Sequence, residues 1–274
     1  MQRCLMAPEM ALELDDDRRR GLARTLEEAQ RALCQVRYGS VFPLGTGHVV
    51  LNPDNPLAVG SFAAGFEGDL GLVEKSLLTL PLVWADAGRH QVVLLSSPSS
   101  VPELDLLAEE CGYEAAEETT TLLLSHPEQL VADEPGILTR PLPEEDEGQI
   151  GMLVAAAHDW STAVGKRLQV VQGHRLDDPR HVAFGAWQDG ALVGVATGFL
   201  FGAVGQLVEV SVARAARRRR YGRALASAVA AALLQRGAEL VWSSVEAGGL
   251  TERFLAGLGF EPAYDGVIFT AESV

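Results

Sequence analysis

The chain has 274 residues, 47% of them hydrophobic, and a formal net charge of -15. That is enough apolar material for one large or two ordinary packed domains. The acidic balance excludes a general nucleic-acid binder, which needs clustered Lys and Arg to neutralise phosphates.

The opening "MQRCLMAPEMALELDDD" turns acidic before any apolar run long enough for a signal peptide or a membrane span. A cytoplasmic protein that does not engage a membrane is expected. Cys4, Cys34 and Cys111 lack C-x-x-C spacing, so they read as reduced packing thiols, and the scattered histidines offer no metal-ligand pattern.

In the first half, "LAVGSFAAG" reads as strand and "LVEKSLLTLPLVWADAG" as helix. "VVLLSSPSSVPELDLLAEECGYEAAEETTTLLL" then gives strand, Ser-Ser, helix and Gly-aromatic-Glu. "EQLVADEPGILTRPLPEEDEG", rich in proline and acid, marks a boundary near residue 134, dividing 1–134 from 135–274. Beyond it "GILTRPL" predicts a strand, "PEEDEGQIGMLVAAAHD" an acid-started helix and "STAVGKRLQVVQG" another helical piece. The β-rich run from His181 to Val212, broken at Asp189-Gly190 and around Gly202-Gly205, reads as an antiparallel meander. A helix with Leu225, Ala228, Val229, Ala232 and Leu233 on one face stops at Gly237. "AELVWSSV", "LTERFLAGLGF" and "AYDGVIFTA" follow as strand, helix and strand.

The two halves repeat. Ser96 and Ser243, Gly112 and Gly259, and Glu114 and Glu261 are each separated by the same offset, without gaps. Duplication of one α/β unit is the favoured explanation.

Between the last strand of the meander and its following helix, Arg214, Arg217, Arg218, Arg219, Arg220 and Arg223 crowd one bend of this acidic chain. A strand-to-helix turn presents unpaired N–H groups and the positive end of the helix dipole, a setting suited to pyrophosphate. Arginine at a helix start opposes that dipole, so a bound anion accounts for the cluster better than a solvated surface does. The equivalent region of the first half, "FAAGFEGDLGLVEK", carries Glu67, Asp69 and Glu74 instead and would repel phosphate.

At this bend the chain resembles the GNAT acetyltransferases, whose central motif runs V-x-P-x-x-R-R-x-G-x-G-x-A-L. Here it reads Val212, Arg214 for the proline, Arg217, Arg218, Arg220 for the first glycine, Gly222 for the second, Ala224 and Leu225. A second register, Arg219-x-x-Gly222-x-Ala224, matches the short R-x-x-G-x-A form but lengthens the loop. "ILTRPLPEED" and "LAGLGFEPAY" resemble the first strand and the L-G-F turn of the family, extending the likeness over residues 136–272. The resemblance implies two α/β (α+β) lobes, each a mixed, mostly antiparallel sheet flanked by helices, the first lobe degenerate. It further implies a metal-free acyltransfer from acetyl-CoA to a small-molecule amine or peptide by a monomer or homodimer. Val210, Val212, Arg217, Arg218, Arg219, Arg220, Gly222, Arg223 and Ala224 would then hold the cofactor. A non-catalytic acyl-CoA-binding or regulatory protein is the alternative.

Many members carry an Asn after the fifth strand and a Tyr general acid three residues before the Leu of L-G-F; here those places hold Gly248 and Leu255. Tyr264, Ser243 or Ser244 could substitute, or the thiolate could leave unaided, since thiols ionise near pKa 8.5. An alkylammonium must lose a proton before it attacks. Strand alternation puts Leu207, Glu209 and Ser211 on one face and Val208, Val210 and Val212 on the other. Glu209 is therefore the candidate base, with Glu246 in reserve.

Overall fold

The computed structural model describes residues 14–273 except 38, 132, 133, 135 and 174–177, so Cys4 and part of the boundary segment lie outside the described residues. In chain order the elements are α1 (Asp16–Val36), β1 (Ser40–Leu44), β2 (Gly47–Leu51), β3 (Phe62–Ala64), α2 (Leu70–Asp86), β4 (Gln91–Ser96), α3 (Leu104–Glu110) and β5 (Glu114–Leu124). There follow β6 (Leu138–Pro141), α4 (Ile150–Ala157), α5 (Thr162–Gly173), β7 (His181–Gln188), β8 (Ala191–Phe201) and β9 (Val204–Val212). The chain ends with α6 (Tyr221–Gln235), β10 (Leu240–Glu246), α7 (Leu250–Ala256) and β11 (Phe260–Glu272). The acid-started segment before α4 opens as a 3-10 turn, Glu144–Gln149.

All of the strands join one 11-stranded sheet in the order β1-β2-β3-β4-β11-β5-β10-β9-β8-β7-β6. Among the described residues only β3–β4 and β9–β10 run parallel. The meander turns where expected, with Asp189 at φ 53° and Gly190 at φ 82° closing the β7–β8 hairpin and Gly202 at φ 57° closing β8–β9. Near the centre the halves exchange strands. β11 from the end of the chain pairs with β4 and β5 of the first half, while β5 pairs with β10 of the second. Gly112 and Gly259 precede β5 and β11 with nearly the same positive φ, 88° and 90°.

Helix α6 lays fully buried Leu225, Val229 and Leu233 on one face of the sheet. Glycines let it approach closely: a Cβ on Gly198 would lie 2.7 Å from Val229 Cγ1. On the other face α1 packs Leu33 and Val36 against Phe199 and Val208. At about 25 cal/mol per Å² of apolar surface removed from water, these two layers supply much of the driving force for closing the second half around β8 and β9.

Candidate active site

The site begins where two parallel strands part. β9 and β10 are paired only from Val204–Leu240 to Gln206–Trp242. Beyond that point β9 runs on to Val212 beside β8, and β10 turns to β5. The β8–β9 register slips between Thr197/Gly198, where Thr197 faces Glu209 and Gly198 faces Leu207, leaving Val208 as an extra residue. This bulge corrects the expected alternation. Leu207 joins Val210 and Val212 against the α6 core, whereas Val208 packs toward α1. An inserted residue changes the parity of a strand, so Val208, Glu209 and Ser211 end on the face away from α6.

On that face Glu209 accepts a hydrogen bond from Ser211 Oγ at 2.7 Å. His158 Nε2 lies 4.0 Å from Glu209 Oε1, and the imidazole stacks on Trp160 with centroids 4.6 Å apart. The neighbouring carboxylate raises the His158 pKa above its ordinary value, against partial burial and the charge of Arg217. His158 was not singled out by its sequence; "AHDW" marks the end of α4 and the turn at Asp159, φ 57°, but not what the ring reaches across the chain.

Glu209, Ser244 and Tyr264 meet in one cavity of about 490 Å³ that is also lined by Glu27 of α1 and by Arg37, the C-cap of that helix. Burial pushes the phenol of Tyr264 above its ordinary range, against a hydrogen bond to Thr121, so it remains proton-bearing. Ser243 instead donates to Leu207 O at 3.1 Å, and Glu246 is exposed on β10. Glu27 Oε1 accepts from Ser97 and Ser99 at 2.6 Å each; burial raises its pKa despite those donors. The Cys34 thiol is pushed by burial up to about 11, a packing group as expected. A larger recess of about 780 Å³ lies nearby, sharing Ser96 and Ser97, but contains none of the candidate residues.

The arginine bend lies between Val212 and α6. Arg218 and Arg220 adopt φ 59° and 65°, the region that favours glycine. Arg220 therefore turns the chain where the motif has its first glycine. Its guanidinium pairs with Glu134 at 2.7 Å, Arg214 pairs with Asp159 at 3.3 Å, and Arg219 reaches Gln188 at 3.4 Å. Arg217 donates to the carbonyls of Val212 and Ala157, so it braces the bend rather than standing open. Arg218 and Arg223 are exposed and have no side-chain partner among the described residues.

Among the described residues no side chain caps α6, and the N–H groups of its first turn have no acceptor within a helix. Gly222 leaves room, since an added Cβ would meet nothing closer than 3.7 Å. In the first half, by contrast, Asp69 caps α2 by accepting from Leu72 N at 3.1 Å, and Glu67 is tied to Arg24 at 2.6 Å. An acidic cap there occupies the position an anion would need. Among the described residues no group of three or more His, Cys, Asp or Glu is placed to hold a metal ion, and no helix is long and apolar enough to cross a membrane.

Residues 150–260 match the model of the acetyltransferase (GNAT) family. No curated protein matches the sequence. The fold is similar to that of a GCN5-related N-acetyltransferase from Kribbella flavida, 18% identical, over 98% of this chain and 96% of that one, with TM-score 0.66. It is also similar to a tandem GNAT protein from the clavulanic acid biosynthesis pathway, 19% identical over 83% of this chain and 78% of that one, TM-score 0.60. A third likeness is to a GCN5-related N-acetyltransferase from Sphaerobacter thermophilus, 23% identical over 83% of this chain and 81% of that one, TM-score 0.59.

Proposed function

We propose that this chain, whose residues 150–260 carry a GNAT-family domain within a GNAT fold, transfers an acetyl group from acetyl-CoA to an amine by direct attack in a ternary complex. It does so as two lobes joined near residue 134, the first of them degenerate. One observation carries the reading: a single splayed strand, β9, leads at its end into an uncapped helix start among arginines and presents a carboxylate to a cavity beside α1.

The open first turn of α6, with Arg218, Gly222 and Arg223, suits the pyrophosphate of the cofactor. The backbone of Val210 and Val212 would follow its pantetheine arm. When bound, acetyl-CoA supplies the thioester carbon that the amine nitrogen attacks as the C–S bond breaks. Glu209 takes a proton from the acceptor ammonium, directly or through one water, freeing the nitrogen lone pair for attack, and Ser211 holds its carboxylate in place. Tyr264 or Ser244, on the same cavity, can return a proton to the departing sulfur. The acidic surface favours a cationic acceptor by steering.

A binding-only role is the second reading, favoured by Leu255, which is 1% exposed and packed into the core where many relatives in the family place a tyrosine acid. Turnover separates the two. Release of free thiol from acetyl-CoA with an amine panel, lost in Glu209→Gln, supports transfer; cofactor binding without thiol release from any amine favours the second reading.

A further inference from the structure

Arg37 closes α1 and points attention to what the cavity receives. It is half-buried, lines the same cavity as Glu209, and has no ion pair or side-chain hydrogen bond among the described residues. Several other arginines have found partners: Arg24 has Glu67, Arg180 has Asp178, Arg89 and Arg236 have backbone carbonyls. A guanidinium drawn out of water without an acceptor is costly, and a carboxylate is the partner it matches in both charge and shape.

The groups whose charge Arg37 feels are Cys34 and Glu209. Burial keeps the thiol protonated near neutral pH. His181, which also feels the charge of Arg37, is held neutral, its pKa lowered by burial to about 4. Glu209 is thus the anion in its field, and it is already engaged by Ser211 and His158. A second observation points the same way. Where β9 and β10 part, two residues lining this cavity hold buried polar atoms with no partner, Trp242 Nε1 and Gln206 Oε1. An N–H donor and an amide oxygen left unsatisfied among the described residues, on a cavity that also holds an unpaired cation, describe a site that a polar ligand completes.

We propose that the acceptor is a free α-amino acid, its amine directed to Glu209 and its carboxylate paired with Arg37. This rests on the acetyl-transfer reading and narrows it. In an α-amino acid the two charged groups are one carbon apart, and Glu209 and Arg37 are neighbours facing one cavity. The cavity's carboxylates, Glu27, Glu117 and Glu209, would alone serve a simple polyamine equally well; a cation set among them would repel one. Arg37 here is a positioning and specificity residue, acting on the acceptor carboxylate and not on the reacting atoms.

The test uses the full-length protein and pairs of free L-amino acids with their carboxamides, which keep the amine and side chain and lose the carboxylate. The amide amine is the weaker base and is more fully deprotonated at neutral pH, so a preference for the acid runs against that bias. Wild type should favour the best acid over its amide by ~tenfold or more in kcat/KM, the worth of one charged contact. Arg37→Gln should erase the preference through KM, leaving kcat for the amide within about threefold, and Arg37→Lys should keep part of it. Equal rates for acid and amide in wild type overturn the proposal, as does an equal loss for both in Arg37→Gln. Calorimetry of the same compounds without acetyl-CoA separates this from the function itself. Acid-selective binding that disappears in Arg37→Gln, with no acetylation, keeps the carboxylate site and sinks the acetyl-transfer reading. Acetylation of amines without acid selectivity does the reverse, and neither binding nor acetylation of any acid sinks the site.

Discussion

Substituting Glu209 by glutamine removes basicity and little else. Ser211 Oγ, 2.7 Å from Oε1, can donate equally to an amide oxygen, and the side chain volume is unchanged. The expected loss follows from proton bookkeeping. An alkylammonium with pKa near 10.4 is neutral in roughly one molecule per 10³ at pH 7.4, so without a base only that fraction arrives ready to attack. Turnover should therefore fall by ~10³-fold at pH 7.4, within the range for a lost general base, and the deficit should shrink about tenfold per pH unit until the amine titrates. Affinity for coenzyme A, measured by calorimetry, should not move. A second readout is built in: because the carboxylate holds the His158 pKa up, that pKa should drop toward its ordinary value in Glu209→Gln, visible in the NMR titration of the ring. A deficit that stays constant from pH 7 to 10 would show Glu209 to be positional, and normal turnover at pH 7.4 with a high-pKa amine would show it to be a bystander.

At the bend, Arg218→Ala should weaken coenzyme A binding ~tenfold, about 1.4 kcal/mol, without changing the melting temperature, whereas Arg217→Ala should lower both, since that side chain braces Val212 and Ala157; unchanged affinity in both moves the phosphate elsewhere. Arg220→Gly relieves a left-handed residue but strands Glu134, whose side chain is 7% exposed, so the gain should emerge only with Glu134→Gln, as a melting temperature higher by roughly 2–4 °C. His181 is neutral in the fold with pKa about 4 while the unfolded chain takes up a proton near 6.5, so stability should fall as pH drops through that interval, by at most about 1.4 kcal/mol per unit. Urea melts of His181→Gln with the same acid slope as wild type would remove that group from the account. A fragment of residues 135–274 lacks β5, the partner of both β10 and β11, and should aggregate or lose cooperative unfolding; a monodisperse fragment with a sharp transition would mean β10 and β11 can pair without it.

Local pattern carried the reading of the second half well: the meander, the helix over Leu225, Val229 and Leu233, and the turn at Gly237 are each written in spacing and composition. What escaped depends on distant partners. The Val208 bulge leaves no mark on its own strand because both Leu207 and Val208 are apolar and either could face a helix; only the register against β8 decides. The strand exchange is hidden for a related reason. β5 and β11 sit at matching places in the two halves, so either could close either lobe. Arg37 and His158 are not legible in the sequence because their neighbours, Glu209 foremost, lie far along the chain. The arginine cluster was visible at once, but not that four of its members are engaged by protein acceptors.

The strand exchange also bears on how the chain comes to be folded. β11 is made after the other ten strands, yet it occupies the middle of the sheet, with Val267 against Ser96 on one side and Phe260 against Leu124 on the other. During synthesis the first half must wait with the edges of β4 and β5 open, since the strand that belongs between them has not left the ribosome. Such distant pairings are slow to find, and unpaired edges invite association with other chains in the interval. Loss of β11 would consequently reach both halves at once, unzipping the centre of the sheet rather than fraying its end.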